Sequence, residues 1–387
     1  MRRLRLAITV GYLIIIAATA GWAIVASRRP YAPFSVLPAP QPITVTLVYS
    51  TELQSWLTQA ATAFEESTTL RGAPISIVLQ GRDSGAAKDA LRDGGLQCTA
   101  WIPSSMLWID LLNQESVQRG GVSPLSTVAA DAARATARSP LVVAIWTDRA
   151  GVLNQGGQSI WRRIHDLAAA KDGWASLGHP EWADFKWGQT APATSNSGLT
   201  ALLLMAYDFH GTRTGLTAAQ AGAGEFRSWL QPISDSTTYG DASGTLINDM
   251  IAYGPSRFDA IATYESLLLE YLPNAARRGE QITALYPPAN SVSDHPYAIL
   301  QGTNITTDQR DAARAFRDFL LSAAEQQQAV QFGLRPVRSD VPINGQDSPF
   351  VRNAAAGVRQ DLPTLVESPK VDAAQMLIAT WGQNTPQ

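Results

Sequence analysis

Apolar runs of strand length alternate along this chain with longer stretches in which apolar residues recur every three or four positions. The run 43–49 (ITVTLVY) reads as a buried strand, and 52–66 repeats Leu53, Trp56, Leu57, Ala60 and Phe64 at helical spacing. The unit recurs as a strand at 75–79, a short helix at 86–91, a strand at 98–102 and a helix at 104–114. The run 141–146 is the most apolar strand, followed by helices at 159–170, 198–207, 225–230 and 244–253. A strand at 258–263 leads into a helix at 266–272, and strands at 282–286 and 297–300 follow. The stretch 308–322 is amphipathic, with Ala312, Ala315, Phe316 and Phe319 on one face. From 340 the chain is rich in Pro, Asn and Gly until a last short helix at 373–381, and no internal repeat is visible. Such alternation predicts an α/β architecture, with parallel sheets covered by helices on both faces.

Polar loops follow several of these strands. The stretch 191–198 (APATSNSG) runs directly into the apolar helix that follows. A helix start has unpaired N–H groups and the positive end of the dipole. Ser195, Asn196 and Ser197 add side-chain donors, and Gly198 permits close approach. That combination suits a small anion or a strongly polar solute. The loop Gly81-Arg82-Asp83-Ser84-Gly85 repeats the pattern upstream, Ser50 and Thr51 end the first strand, and Tyr264 with Glu265 ends another. In open α/β sheets, ligands sit beyond the carboxyl ends of strands. These loops come from both halves of the chain, so a cleft between two lobes accounts for them. A helix cap alone would account for Ser195, Ser84 or Ser50, and core packing for Tyr264.

The N-terminus sets the location. Arg2, Arg3 and Arg5 precede an uncharged run over 6–27, closed by Arg28 and Arg29. A bilayer is spanned by about 20 apolar residues, and a signal-peptide core has about 7–15. Residues 1–29 are read as an uncleaved signal anchor, a single transmembrane helix with its basic end inside. Cleavage near Ala18-Thr19-Ala20, giving a secreted or periplasmic protein, is the alternative. Pro30, Pro33, Pro38, Pro40 and Pro42 make 30–42 a stiff spacer. The soluble part is extracytoplasmic on either reading.

Composition narrows the chemistry. The 387 residues carry a net charge of -3, which gives no basic field for nucleic acid. The single cysteine, Cys98, forms no internal disulfide. The 4 histidines (His165, His179, His210, His295) are scattered, with no metal-ligand spacing. There is no nucleophile elbow and no Walker loop, and the neighbours Asp294 and His295 are expected to diverge from a loop. No enzyme, metal or cofactor is expected. Most of the 11 tryptophans are spread through helices as core anchors rather than gathered for sugar stacking.

Taken in order, VYST at 48–51, TAPATSNSGLTALLL at 190–204, ATYESLLLEY at 262–271, LYPPANSVSDHPYAIL at 285–300 and ARAFRDFLLSAAEQQQAVQFGLRPV at 313–337 resemble the extracytoplasmic solute-binding proteins of the type II periplasmic-binding fold. The likeness is greatest to the molybdate- and sulfate-binding group, and to the binding domain found before von Willebrand A-type domains. The resemblance implies two Rossmann-like lobes joined by hinge strands: 43–139 with 284–337, and 140–283, leaving a tail over 338–387. It implies a cleft lined by Ser50, Thr51, Ser84, Gly85, Ser195, Asn196, Ser197, Gly198 and Tyr264, with no cofactor. Capture of a small anion or polar solute would serve an ABC-type uptake system, with a permease or a von Willebrand A-type protein as membrane partner. An envelope sensor or scaffold with no transport role is the alternative. Glu265 departs from the pattern, since a carboxylate in the cleft would repel an oxyanion. Arg82 and Asp83 are expected to pair with each other or with solute. The tail is expected either to touch a membrane partner or to strap one lobe.

Overall fold

The structure, a computed structural model, describes residues 40–154 and 157–384. The expected signal anchor, and the spacer as far as 39, lie outside the described residues. Among the described residues no helix is long and apolar enough to cross a membrane.

Two sheets organise the chain. The first is built from β1 (Ile43–Tyr49), β2 (Thr69–Leu70), β3 (Ala73–Gly81), β4 (Ala100–Ile102) and β5 (Arg134–Ala135), joined late in the sequence by β13 (Pro296–Ile299). Its order is β2-β3-β1-β4-β13-β5. The second contains β6 (Ser139–Trp146), β7 (Trp187–Thr190), β8 (Thr237–Gly240), β9 (Ala260–Tyr264) and β10 (Ile282–Leu285) in the order β10-β6-β9-β7-β8. Strand β12 (Val292–Ser293) also pairs with β6. The chain therefore crosses between the sheets twice, between β5 and β6 and between β12 and β13.

The strands of β6 and β1 explain why the apolar runs read so clearly. Leu141, Val143 and Ile145 of β6 point into one core, and Val142, Ala144 and Trp146 into another. A strand buried on both faces shows a continuous apolar run rather than alternation. In β1, Val45, Leu47 and Tyr49 face one core of the first lobe while Val48 faces the other. Cys98 is buried and free, and burial pushes its thiol up to about 12.

Three expectations are corrected. The sheets are mixed, not parallel throughout: β3, β1 and β4 run parallel, but β13 is antiparallel to β4, and β6 to β9. The reversed strands are those adjoining the crossovers, which enter a sheet from the opposite lobe. The return to the first lobe comes after β12, not at 284, because β10 pairs antiparallel with β6 through Ile282 to Leu285. The tail does not stand outside the two-lobe core. Phe350 and Val358 sit in the second lobe's core, and β14 (Thr364–Leu365) pairs with β11 (Ala289–Asn290). The last helix, Val371–Asn384, places Leu377 and Trp381 in the core of the second lobe and Ala374 in a core of the first. The tail is thus a strap over both lobes.

Candidate functional site

Strands β1, β3 and β4 end side by side, so the residues after them meet. The Ser50 hydroxyl donates to Glu52 Oε2 at 2.6 Å and lies 2.6 Å from the Ser104 hydroxyl. Ser104 donates to Glu52 Oε1 at 2.6 Å, and its backbone N–H donates to Ser84 Oγ at 2.9 Å. His295, from the second crossover, places Nε2 3.0 Å from the same Glu52 Oε1. Its Nδ1 lies 3.2 Å from the Ala137 carbonyl on the first crossover. The His295 side chain is fully buried and its φ is 42°, a left-handed backbone in a non-glycine residue. One imidazole thus ties both crossovers to a carboxylate of the first lobe. Burial raises the Glu52 carboxyl, but the hydrogen bond and charge of His295, with Ser104 and Ser50, outweigh it and hold the carboxyl below its usual range.

The second lobe contributes Tyr264 from the end of β9 and Asn196 from the start of the helix Asn196–His210. Asn196 Nδ2 donates to Tyr264 Oη and to Ser293 Oγ, each at 2.9 Å. Its Oδ1 accepts from Trp108 Nε1 at 2.8 Å and from Ser105 Oγ at 3.0 Å, both in the first lobe. Tyr264 is also hydrogen-bonded to Ser104. Burial and then the Glu52 charge push its phenol well above the ordinary value, so it stays a neutral donor. A continuous polar network therefore runs from Glu52 through Ser104 and Tyr264 to Asn196, crossing the lobe boundary.

The lobes also meet through backbone. Gly85 N–H donates to the Thr194 carbonyl at 2.8 Å, so the start of the helix Ser84–Arg92 is capped from the opposite lobe. Ser195 does not cap its own helix; its hydroxyl bonds Asp83 across the boundary. Thr51 donates to Asp83 Oδ1 at 3.4 Å, while Oδ2 is buried without a partner. Burial first, then the Glu52 charge, pushes the Asp83 carboxyl up to about 7, against the Ser195 and Thr51 hydrogen bonds. Raised in the folded state, this carboxyl costs nothing below its ordinary value of 3.8 and destabilises progressively as pH rises towards 7. Asp83→Asn is therefore expected to flatten the pH dependence of stability between those values and to favour the closed lobes at pH 8. Thermal unfolding and small-angle scattering across that range check this; a variant with unchanged pH dependence would refute it.

Of the residues expected at the site, Ser50, Thr51, Ser84, Gly85, Ser195, Asn196 and Tyr264 converge on the lobe boundary. Two do not face across it. Ser197 Oγ lies 2.8 Å from Thr190 Oγ1 and 2.7 Å from Ser243 Oγ, within the second lobe. Gly198 gives its N–H to Thr190 Oγ1, and a Cβ there would stand 2.1 Å from the Thr190 carbonyl oxygen. That glycine serves strand–helix packing. Glu265 takes no part in the hydroxyl cluster: Arg335, beyond the second crossover, binds it at 2.7 Å, and Tyr286 binds it too, so its charge is answered by a cation. Asp83 bonds Thr51 and Ser195 rather than Arg82. The sequence reading missed Glu52, Ser104 and Ser293. It mentioned His295 only as a neighbour of Asp294. The two do diverge: Asp294 Oδ1 accepts the Met106 N–H at 3.0 Å, while His295 turns to Glu52.

Residues 45–335 match the family model described as bacterial extracellular solute-binding protein. No curated protein matches the sequence. Solved structures share the fold at low identity. A periplasmic thiamin binding protein has a TM-score of 0.59 at 15% identity, covering 89% of this chain and 96% of its own. The periplasmic binding protein AfuA from Actinobacillus pleuropneumoniae, with fructose-6-phosphate bound, has a TM-score of 0.59 at 14% identity over 89% and 98%. The sulfate-binding protein SubI from Mycobacterium tuberculosis H37Rv has a TM-score of 0.52 at 19% identity over 88% and 96%. Nothing in these matches supports a von Willebrand A-type partner.

Proposed function

Because the chain belongs to the bacterial extracellular solute-binding proteins, with the fold of type II periplasmic binding proteins, we propose that it captures a small polar solute between its two lobes for an ABC-type uptake system. The observation that carries this reading is the convergence of Ser50, Ser84, Ser104, Glu52, Asn196 and Tyr264 at strand ends from both lobes. Hydroxyls donate and accept, and in the closed molecule they satisfy one another until a solute replaces them. The chemistry of the site favours one half of the sequence expectation. Two carboxylates, Glu52 and Asp83, flank the cluster, and among the described residues no lysine or arginine bonds to it. A solute with its own hydrogen-bond donors or a positive charge suits this better than an oxyanion.

The protein acts by binding and not by catalysis, as its family does. The soluble part is extracytoplasmic, and residues 1–29 would hold it at the membrane beside its permease. N-terminal sequencing of the mature protein separates that tether from a cleaved signal.

Mass spectrometry of small molecules released from purified protein identifies the solute. Replacing Ser50 and Ser104 together by alanine removes two donors of about 0.5–1.5 kcal/mol each, or about 5- to 150-fold in affinity. Calorimetry with the released solute measures it, and unchanged affinity would place the site elsewhere.

A further inference from the structure

We propose that the cavity roofed by the C-terminal strap is a second binding site, shaped for a small zwitterion with an apolar body. The cavity measures about 500 Å³, within the size range of small-molecule pockets. Met106 and Leu107 of the first lobe, Leu199 and Leu203 of the second, and Leu362 and Val366 of the strap form its apolar walls.

Two opposite charges line it, Arg138 and Asp294, one at each crossover. Neither is in contact with an opposite charge among the described residues, although the charges of His295 and then Arg138 act on the Asp294 carboxyl from a distance, against burial. Asp294 is half-buried and its carboxylate is fixed by the Met106 N–H at 3.0 Å. Arg138 is exposed, at the rim. Burial pushes the Asp294 carboxyl up, and an ammonium group beside it would reverse that effect. A simple cation satisfies Asp294 alone, and a simple anion satisfies Arg138 alone. A zwitterion satisfies both, with its ammonium inward, its carboxylate at the rim and its apolar body against the leucines.

This compartment is not the hydroxyl cluster. None of Ser50, Glu52, Ser84, Ser104 and Tyr264 lines it. Asn196 lines it and also bonds Tyr264, so the two compartments share a wall. The inference stands independently of the cleft solute proposed above.

The test uses three probes with one body and different charges: L-phenylalanine, phenethylamine and 3-phenylpropanoate. Titration calorimetry on the full chain should show phenylalanine binding at least about tenfold more tightly than either singly charged probe. Arg138→Gln and Asp294→Asn should each weaken phenylalanine by about tenfold or more. The asparagine keeps the acceptor for Met106 N–H, and should that variant nonetheless fail to fold, Arg138→Gln decides. Ser50→Ala, which weakens capture of the cleft solute, should leave phenylalanine binding intact. Equal binding of the three probes, no binding of any up to roughly 10 mM, or loss with Ser50→Ala in place of the Arg138 and Asp294 variants would overturn the proposal.

Discussion

Gly85→Ala is expected to hold the lobes apart without unfolding either of them. A Cβ at Gly85 would stand 2.3 Å from the Ala193 carbonyl oxygen and 2.8 Å from Thr194 Cα. Both obstacles are backbone of the opposite lobe, so no side-chain rotation relieves the contact. The substitution also displaces the Thr194 carbonyl that caps the Ser84–Arg92 helix. Overpacking of this kind costs about 1–3 kcal/mol, and here it bears on closure, since the three atoms nearest to the added Cβ all belong to the opposite lobe. Affinity for the cleft solute should therefore fall by about 10- to 100-fold, and the ligand-free radius of gyration should rise. Calorimetry and small-angle scattering read the two effects. Wild-type affinity with unchanged scattering would show that this contact does not govern closure.

The strap gives that variant a second use. Leu377 and Trp381 are anchored in one lobe and Ala374 in the other, so hinge bending must either move the last helix with one lobe or release it. A chain that opens on Gly85→Ala has to resolve this conflict, and cross-linking the last helix to either lobe shows which contact yields.

How far the sequence was legible follows from which signals are local. Buried strands such as 43–49 and 141–146 carry their own apolar runs, and the loops after them lie where strand ends meet. The strand Thr237–Gly240 went unread because its four residues are half-buried and polar. The lobe boundary was misplaced at 284 because β10 looks the same whichever sheet it joins; only its pairing with β6 decides. At the site, hydroxyl clusters beside a helix start were visible. Which hydroxyl faces the other lobe was not: Ser195 reaches Asp83, whereas Ser197, two residues on, turns back to Thr190 and Ser243. Glu52 was hidden for another reason. It stands at the start of an amphipathic helix, where an acidic residue already has a local explanation in the helix dipole. Only its approach to His295, 243 positions away, distinguishes it. The strap's last helix was legible at 373–381, but its reach over both lobes was not, because the stretch before it has the composition of a loop and its anchors are a few separated side chains.

Glu52→Ala should be the most damaging substitution in the cleft. The carboxylate is buried and takes three hydrogen bonds, from Ser50, Ser104 and His295. Removing it leaves two hydroxyls without their acceptor and an imidazole facing a void. His295 cannot turn to solvent, because it is fully buried and also held to Ala137. Leaving buried donors without their acceptor costs about 1–3 kcal/mol for each group, against a typical total stability of about 5–15 kcal/mol. Urea unfolding measures the loss. Glu52→Gln, which keeps an acceptor but not the charge, should lose less, and the double replacement of Glu52 and His295 should lose less than the two single losses added. The pH dependence follows from the depressed carboxyl: its stabilisation is complete above the ordinary carboxylate range and is lost as pH falls through its lower folded value. This is opposite in sign to Asp83, which destabilises as pH rises towards 7. Glu52→Gln is therefore expected to make the acid limb of the stability profile shallower, a limb that Glu115 and Asp131 share, and Asp83→Asn the limb towards neutral pH, which Asp208 and Asp259 share. Additive single and double losses in the Glu52–His295 cycle would show that the carboxylate and imidazole are merely neighbours, and would remove the link between the crossovers and the first lobe.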